Sequence, residues 1–249
     1  MWRTREDNWS LFLDIEGFSA SYARDQVEAL VRLGRLMEAI HGVGCTTLSE
    51  EPHRLFAYQV GDGFAVAPSF GEVSLHRPVA LGIVVLRHVL AGGGTARAAL
   101  STGGFSDVQG CYPNHVMATR LTDGVVLRMG EGLMTVFSVM GSGLINSHKL
   151  GSRTPKGALF VVDATLIDDL PPWVDQIPFE DDVKGVTVDW VRADAESIDQ
   201  MAAAGCLARL APAECERRLG QYVRECSASQ EWKDNTLRYG KTDRLEDAG

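Results

Sequence analysis

The chain has 249 residues, 45% of them hydrophobic, and a formal net charge of −9 at pH 7, so it is long enough for a full core but too acidic for a general nucleic-acid binder. Its best apolar run, 78–91, is too short to cross a bilayer and contains Arg87 and His88, and the first seven residues lack the apolar core of a signal peptide. The five cysteines are scattered along the chain, which favours reduced thiols. Together these features lead us to expect a cytoplasmic protein without membrane or nucleic-acid partners.

Hydrophobic periodicity and glycine or proline breaks predict strands and helices in alternation. In chain order they are a strand at 10–15, a helix at 24–41, two strands around Gly61-Asp62-Gly63, a helix at 74–91, a strand at 95–101, a short helix at 112–121, a strand at 132–139, a helix at 142–150, a strand at 157–162, a turn or short helix at 164–169 and a last strand at 186–192. Because the paired strands around Gly61-Asp62-Gly63 form a hairpin, we predict a mixed α+β sandwich rather than a doubly wound sheet.

The composition changes after residue 192, where Ala, Glu, Arg and Cys become dominant. We therefore divide the chain into a main unit at 8–192 and a C-terminal helical extension with a polar tail at 193–249. The extension is predicted to hold two helices, broken near Ala211-Pro212, and to end in a frayed polar tail from Ser227 onward. The alternative for this segment is a dimer contact or a lid over a site.

Two acidic residues, Asp14 and Asp62, each end an apolar, strand-like run and are followed closely by glycine. Carboxylates on neighbouring strand ends can share hard cations such as Mg²⁺ or Mn²⁺, which take oxygen ligands and often keep substrate phosphates in their shell. The pair therefore predicts a metal site. The alternative is that both acids are simple turn residues, because Gly-Asp-Gly is also an ordinary hairpin turn.

The order and spacing of these two frames resemble the class III nucleotidyl cyclases, in the segments Asp14-Ile15-Glu16-Gly17-Phe18-Ser19 and Gly61-Asp62-Gly63. The resemblance covers about residues 8–192 and implies a ferredoxin-like core with a mainly antiparallel sheet. It also implies two divalent cations, Mn²⁺ or Mg²⁺, bound by Asp14, Asp62 and the carbonyl of Ile15. Backbone N–H groups around Phe18 and Ser19 would wrap the substrate triphosphate at the start of a helix.

Further positions follow from the same resemblance. Arg97, in a strand where Ala99 replaces the usual Gly, would face the phosphates, although a structural ion pair with Asp14 or Asp62 is the alternative. Lys149 stands where the family has its transition-state Arg, which keeps the charge and loses the bidentate fork.

Two further residues match the family pattern less closely, namely those for ribose orientation and for binding the end of the triphosphate. The ribose-orienting Asn of the family would fall at Ile145, whereas the actual Asn146 is one position later, about 100° around a helix. Lys184, followed by Gly185, resembles the lysine that caps the triphosphate, and a lone lysine in a charged turn is the alternative.

The residues that read a purine are replaced, because Tyr58 and Ser138 stand where adenylate cyclases have Lys and Asp or Thr. This departure resembles the pyrimidine cyclases of the bacterial Pycsar anti-phage systems, which make cyclic UMP or cyclic CMP and signal to a separate cyclic-nucleotide-binding effector. The two hydroxyls do not separate uracil from cytosine, and we favour UTP because cyclic UMP producers are the commoner branch. CTP, then ATP or GTP, then a catalytically inactive nucleotide-binding domain are the alternatives.

The resemblance also implies a homodimer with two equivalent sites across a twofold interface. Asp14, Asp62 and Tyr58 lie in the first half of the core, while Asn146 and Lys149 lie in the second half. The second half would reach the metals of its partner.

Overall fold

Strands and helices alternate along the chain, and the computed structural model describes them over residues 4–47, 55–68, 74–107, 111–121, 126–136, 139–180 and 184–240. The strands are β1 (Thr4–Ile15), β2 (Leu55–Val60), β3 (Gly63–Pro68), β4 (Ala96–Asp107), β5 (Val126–Met129), β6 (Gly132–Thr135), β7 (Val139–Gly141), β8 (Phe160–Asp163), β9 (Gln176–Pro178) and β10 (Gly185–Val188). The helices are α1 (Phe18–Arg24), α2 (Gln26–Thr47), α3 (His76–Ala91), α4 (Asn114–Met117), α5 (Ser142–Arg153), α6 (Glu196–Ala204), α7 (Pro212–Glu225) and α8 (Gln230–Tyr239), with a 3₁₀ helix at Ala164–Asp169.

One sheet of eight strands organises the fold, in the order β2-β3-β1-β4-β8-β10-β9, with β7 also pairing with β4. Among the described strands only β4 and β8 run parallel, and the other pairs are antiparallel. The fold is therefore α+β with a mainly antiparallel sheet, as the hairpin around Gly61-Asp62-Gly63 predicts. The strands β5 and β6 form a separate two-stranded ribbon.

Alternation along the central strands divides the core between the two faces of the sheet. Trp9, Leu11 and Leu13 of β1 are buried in the larger cluster, with apolar residues of α2 and α3. The opposite face carries a smaller cluster in which Ala99 and Val161 pack with residues of α5 and α8, and Phe12 of β1 is partly buried against it.

The C-terminal extension packs against this same core. Ile198, Leu219 and Trp232 belong to the larger cluster. The guanidinium of Arg87 on α3 donates hydrogen bonds to the carbonyl oxygens of Trp190, Val191, Ala193 and Leu210, which tie the start of the extension to α3. The buried charge of Arg87 is thereby satisfied by backbone acceptors.

The frayed tail predicted from Ser227 is wrong for residues 230–239, which form α8. The side chain of Ser229 caps this helix by accepting a hydrogen bond from the N–H of Trp232. Trp232, Thr236 and Tyr239 are buried on one face of α8, so its order comes from tertiary packing of a sequence that is polar on average. No helix in the described part of the chain is long and apolar enough to cross a membrane.

Several predicted elements are shorter or divided in the structure. The predicted helix 112–121 is helical only at Asn114–Met117, because Arg120 already pairs with Leu127 beside the ribbon. Within the predicted strand 132–139, Gly132–Thr135 forms β6, and Val139 begins β7. The last strand ends at Val188, and the carbonyl oxygens of Trp190 and Val191 beyond it accept hydrogen bonds from Arg87 instead of pairing in the sheet.

Candidate active site

The two acids predicted to bind metal lie beside each other at one end of the sheet. Asp14 is paired with Gly63 on β3 and with Arg97 on β4, and Asp62 occupies the turn that joins β2 to β3. Gly61, the other turn residue, has a φ of +66°, a left-handed conformation that favours glycine. The pairing of β1 with this hairpin brings the two carboxylates to the same edge of the fold.

Gly63 leaves room for the carboxylate of Asp14. A Cβ atom at this position would lie 2.8 Å from the carbonyl oxygen of Leu13 and 3.0 Å from Oδ1 of Asp14. Any larger residue would push against the strand backbone and the acid together. The glycine therefore keeps open the space around the Asp14 oxygens.

The surroundings of Asp14 disfavour the ionised form of its carboxyl. Burial, and after it the nearby charges of Asp62 and Glu16, raise the pKa of its carboxyl to about 7 against the opposing effects of Arg97 and the Ile15 backbone hydrogen bond. None of the ion pairs found among the described residues involves Asp14. A bound divalent cation would supply the missing positive charge.

The donor set fits such a cation. Two carboxylates at one strand edge, with oxygen atoms facing a cavity, are the hard ligands that Mg²⁺ and Mn²⁺ prefer. No group of three or more His, Cys, Asp or Glu side chains in the described residues is arranged to hold a metal. The remaining ligands would therefore come from backbone oxygen, as predicted for Ile15, and from substrate phosphate.

Arg97 is buried beside these acids, with 8% of its surface exposed. One guanidinium nitrogen lies 3.9 Å from Glu16, and another donates to the hydroxyl of Thr154 and, over 2.7 Å, to the carbonyl oxygen of Pro155. The ion-pair partner of Arg97 is thus Glu16. The alternative prediction, an ion pair with Asp14 or Asp62, named other acids. The Nε atom of Arg97 is buried without a protein hydrogen-bond partner, and the side chain lines the cavity in front of Asp14.

Glu16 connects this group to the C-terminal extension. The indole N–H of Trp232 donates a 2.7 Å hydrogen bond to its carboxylate. Burial raises the pKa of Glu16, while Arg97, the Trp232 hydrogen bond and the charge of Lys156 lower it. Glu16 is therefore held as an acceptor between Arg97 and Trp232.

A cavity of about 820 Å³ opens in front of the acids, which is large enough for a nucleotide-sized ligand. We call it the acidic cavity. Its walls come from β1, the β2–β3 turn, α1, α2, the end of α5 and the α7–α8 junction. Its cationic side chains are Arg24, Arg32, Arg97 and Lys156.

The loop after Asp14 turns directly into α1, as the resemblance predicts. Gly17 has a φ of +69° and precedes the first helical residue, Phe18. The Phe18 side chain stacks on Tyr22 and packs against the core, whereas Ser19 is exposed. The predicted contacts of the backbone N–H groups at Phe18 and Ser19 with phosphate stay predictions.

A second, apolar cavity of about 290 Å³, which we call the apolar groove, lies next to the first. Tyr58, Ile145 and Lys149 line it. Phe12 and His148, whose rings meet edge to face at 4.9 Å, line both cavities. Tyr58 therefore shares a cavity with Lys149, and neither lines the acidic cavity with Asp14.

The other predicted residues lie further from Asp14. The Asn146 side chain donates a 3.0 Å hydrogen bond to the carbonyl oxygen of Thr102, five residues along β4 from Arg97, which is roughly 16 Å of strand. Lys184 is exposed, and the next residue pairs with Asp163 toward that same far end of the sheet. Ser138 lies outside the described residues.

Sequence reasoning did not identify Glu16, Lys156 or Trp232 as parts of the site. Glu16 occupies a variable position inside the Asp-Ile-x-Gly-Phe pattern, and its charge next to Asp14 is a signal that could have been used. Trp232 offers no local signal, since its partner lies at the other end of the chain.

Two solved structures of a bacterial light-regulated adenylyl cyclase are similar to this chain. One is 11% identical, with a TM-score of 0.48, and the similarity covers 82% of this chain and 57% of the other. The second is 12% identical, with a TM-score of 0.46, over 82% of this chain and 59% of the other. The chain thus spans less than two thirds of either structure's length. No family model and no curated protein matches the sequence.

Proposed function

We propose that this protein is a divalent-cation-dependent pyrimidine nucleotide cyclase that converts UTP to 3′,5′-cyclic UMP and pyrophosphate. The observation that carries the proposal is the placement of Asp14 and Asp62 on adjoining strand ends, where Gly63 leaves room for the Asp14 carboxyl and where burial and the neighbouring acids raise the pKa of that carboxyl. The sequence frames around both acids resemble the class III cyclases, and the acidic cavity has space for a nucleoside triphosphate.

In the proposed reaction the ribose 3′-oxygen forms a bond to the α-phosphorus, and the bond from that phosphorus to pyrophosphate breaks. Asp14, Asp62 and the Ile15 carbonyl would hold the two cations, which when bound lower the cost of the 3′-alkoxide and offset phosphate charge. Arg97 supports the phosphates from the floor of the cavity, and the α1 start supplies backbone N–H groups.

A homodimer would account for the position of the predicted transition-state lysine in a different cavity from the acids of its own chain. Lys149 and Tyr58 line the apolar groove, around which Val60, Met140 and Ile145 are 47–50% exposed. An apolar, partly exposed surface of this kind is typical of a protein interface. We infer that a second copy packs there, so that Lys149 and Asn146 of one protomer face the acidic cavity of its partner.

The base assignment rests on Tyr58, which is bulkier than a lysine amine and offers a hydroxyl to a base edge. It lines the apolar groove, where a small base would be enclosed by Ile145 and Leu144. The product would then act as a second messenger that reaches a separate effector in anti-phage defence. UTP is preferred over CTP in this proposal, and both over ATP and GTP.

Incubation of the pure protein with each of the four nucleoside triphosphates and Mn²⁺, followed by mass identification of products, tests the proposal. We expect cyclic UMP from the wild type and no product from Asp62→Ala. That variant should keep the fold, because it removes a charge that repels Asp14. Asp168→Ala, at an exposed aspartate of the 3₁₀ helix, is the matched control and should stay active.

Cyclic CMP would change only the choice of base, whereas cyclic AMP or cyclic GMP would overturn the pyrimidine assignment. Absence of any cyclic product would favour a nucleotide-binding domain without catalysis. An Asp62→Ala variant with normal, metal-dependent activity would remove this acid from the site.

A further inference from the structure

Among the described residues, the cations that line the acidic cavity differ in how far acidic side chains already neutralise them. Arg24 lies 3.4 Å from Glu28, and Arg32 also pairs with Glu28 while it stacks over Tyr222. Arg97 pairs with Glu16 at 3.9 Å. Lys156 is exposed at the cavity wall and takes part in none of the ion pairs found between described residues.

The loop that carries Lys156 is fixed on both sides. Arg97 donates to the carbonyl oxygen of Pro155 over 2.7 Å. From α8, the Asn235 side chain donates to the carbonyl oxygen of Lys156 over 3.0 Å, and the Thr236 hydroxyl accepts from the N–H of Ala158 over 3.1 Å. Backbone that is anchored in this way fixes the position from which the lysine side chain extends at the cavity wall.

We propose that Lys156 binds the terminal phosphates of the nucleoside triphosphate and that Asn235 of α8 is its positioning residue. The identity of the anion rests on the proposed function, whereas the anion site itself rests on the cavity and its charges. A lysine ammonium is a compact point charge that suits a phosphate oxygen. The C-terminal extension would thereby contribute to substrate binding from within the same protomer.

Lys156, Asp14 and Asp62 line the same cavity. Because the proposed function assigns the two acids and their cations to the reacting phosphate, the terminal phosphates are left for Lys156. Lys156 follows directly on Pro155, the carbonyl acceptor of Arg97, and its charge acts on Glu16 from within the acidic cavity. The predicted triphosphate lysine, Lys184, lies outside this cavity in the same chain. Of the described lysines, Lys156 is therefore the one that lines the cavity in the protomer that also supplies Asp14 and Asp62.

Titration calorimetry of inorganic tripolyphosphate into the full chain in the presence of Mg²⁺ tests the proposal. Lys156→Gln should weaken binding about tenfold to a hundredfold, because one charge-assisted hydrogen bond is lost. Lys233→Gln, on α8 but away from the cavity lining, is the matched control and should bind as the wild type does. Thermal melts of both variants should match the wild type, since Lys156 is exposed.

The role of Asn235 is tested by a double-mutant cycle. Asn235→Ala should weaken tripolyphosphate binding severalfold in the wild-type background and leave it unchanged in the Lys156→Gln background, because it acts through the lysine. Equal losses in both backgrounds would overturn the positioning role. Binding by Lys156→Gln within twofold of the wild type, or no binding by the wild type, would overturn the phosphate site.

The two proposals fail separately. A wild type that makes cyclic UMP while Lys156→Gln keeps full tripolyphosphate affinity retains the proposed function and loses the lysine site. A wild type that makes no cyclic nucleotide but binds tripolyphosphate through Lys156 retains the lysine site and loses the proposed function.

Discussion

The indole N–H of Trp232 donates a 2.7 Å hydrogen bond to the carboxylate of Glu16, which joins α8 to the loop that directly follows Asp14. Trp232 is 6% exposed and the Glu16 side chain 13% exposed, so water cannot easily replace this bond. The C-terminal extension is therefore fastened to the strand end where the predicted metal ligands lie.

Replacing Trp232 by Phe should destabilise the protein, because the substitution keeps most of the apolar ring and removes the hydrogen-bond donor to a buried carboxylate. We expect the free energy of unfolding to fall by about 1–3 kcal/mol, as measured by urea denaturation. Trp173→Phe is the control, since it removes an exposed indole hydrogen bond to His76 and should cost less than about 0.5 kcal/mol. Equal effects of the two substitutions would show that the bond to Glu16 does not hold α8.

Gly63→Ala should impair both folding and metal binding, because the new Cβ would lie 2.8 Å from the Leu13 carbonyl oxygen and 3.0 Å from Asp14. We expect a loss of about 1–3 kcal/mol in urea denaturation and weaker Mn²⁺ binding by calorimetry. Gly44→Ala is the control, since nothing lies within 4 Å of its added Cβ inside α2, and it should stabilise the protein by about 0.4–1 kcal/mol. Unchanged stability and Mn²⁺ affinity in Gly63→Ala would contradict the tight fit around Asp14.

Local patterns are sufficient to predict the acidic end of the sheet. The apolar run before Asp14 and the glycines around Asp62 specify two strand ends and a hairpin, and the structure pairs Asp14 with Gly63 across them. Each of these signals lies within a few residues of the feature that it predicts.

The grouping of the site residues depends on contacts between distant segments, which local patterns do not contain. The position of Tyr58 in the first half of the chain predicts that it lies with Asp14. In the structure, packing of α5 against the sheet puts Tyr58 in a cavity with Lys149. The buried residues of α8 are Trp232, Thr236 and Tyr239, and their partners lie far away in the sequence. A polar sequence of this kind therefore predicts a tail until its tertiary contacts are known.

A mixture of inactive Asp14→Ala with inactive Lys149→Ala should recover activity, because a mixed dimer regains one complete site. Random exchange between equal amounts of the two variants should restore about a quarter of the wild-type rate, since about half of the dimers are then mixed and each has one intact site. Product formation before and after subunit exchange measures this recovery. Mixing Asp14→Ala with Asp62→Ala is the control and should restore nothing, because both acids lie on the same protomer surface.

Exchange must be shown independently, for example by energy transfer between labelled subunits. Demonstrated exchange without recovered activity would contradict a site shared between protomers. In that case Lys149, which lines a different cavity from the acids of its own chain, would have no role in the reaction.

The last prediction concerns the base. Tyr58 lines the apolar groove. In the proposed function it takes the place of the purine-reading lysine of adenylate cyclases, so it should limit the size of the base. If its hydroxyl bonds a base edge, its removal leaves a buried partner unpaired, which costs about 1–3 kcal/mol or roughly ten- to hundredfold in selectivity. Tyr58→Lys combined with Ser138→Asp should therefore weaken the use of UTP and admit ATP. Product formation from equimolar UTP, CTP, ATP and GTP by the wild type and the double mutant measures the change.

Tyr112→Lys, at a tyrosine outside both cavities, is the control and should keep the wild-type preference. A double mutant with unchanged selectivity would show that Tyr58 does not read the base, and a wild type that prefers ATP or GTP would make the protein a purine cyclase.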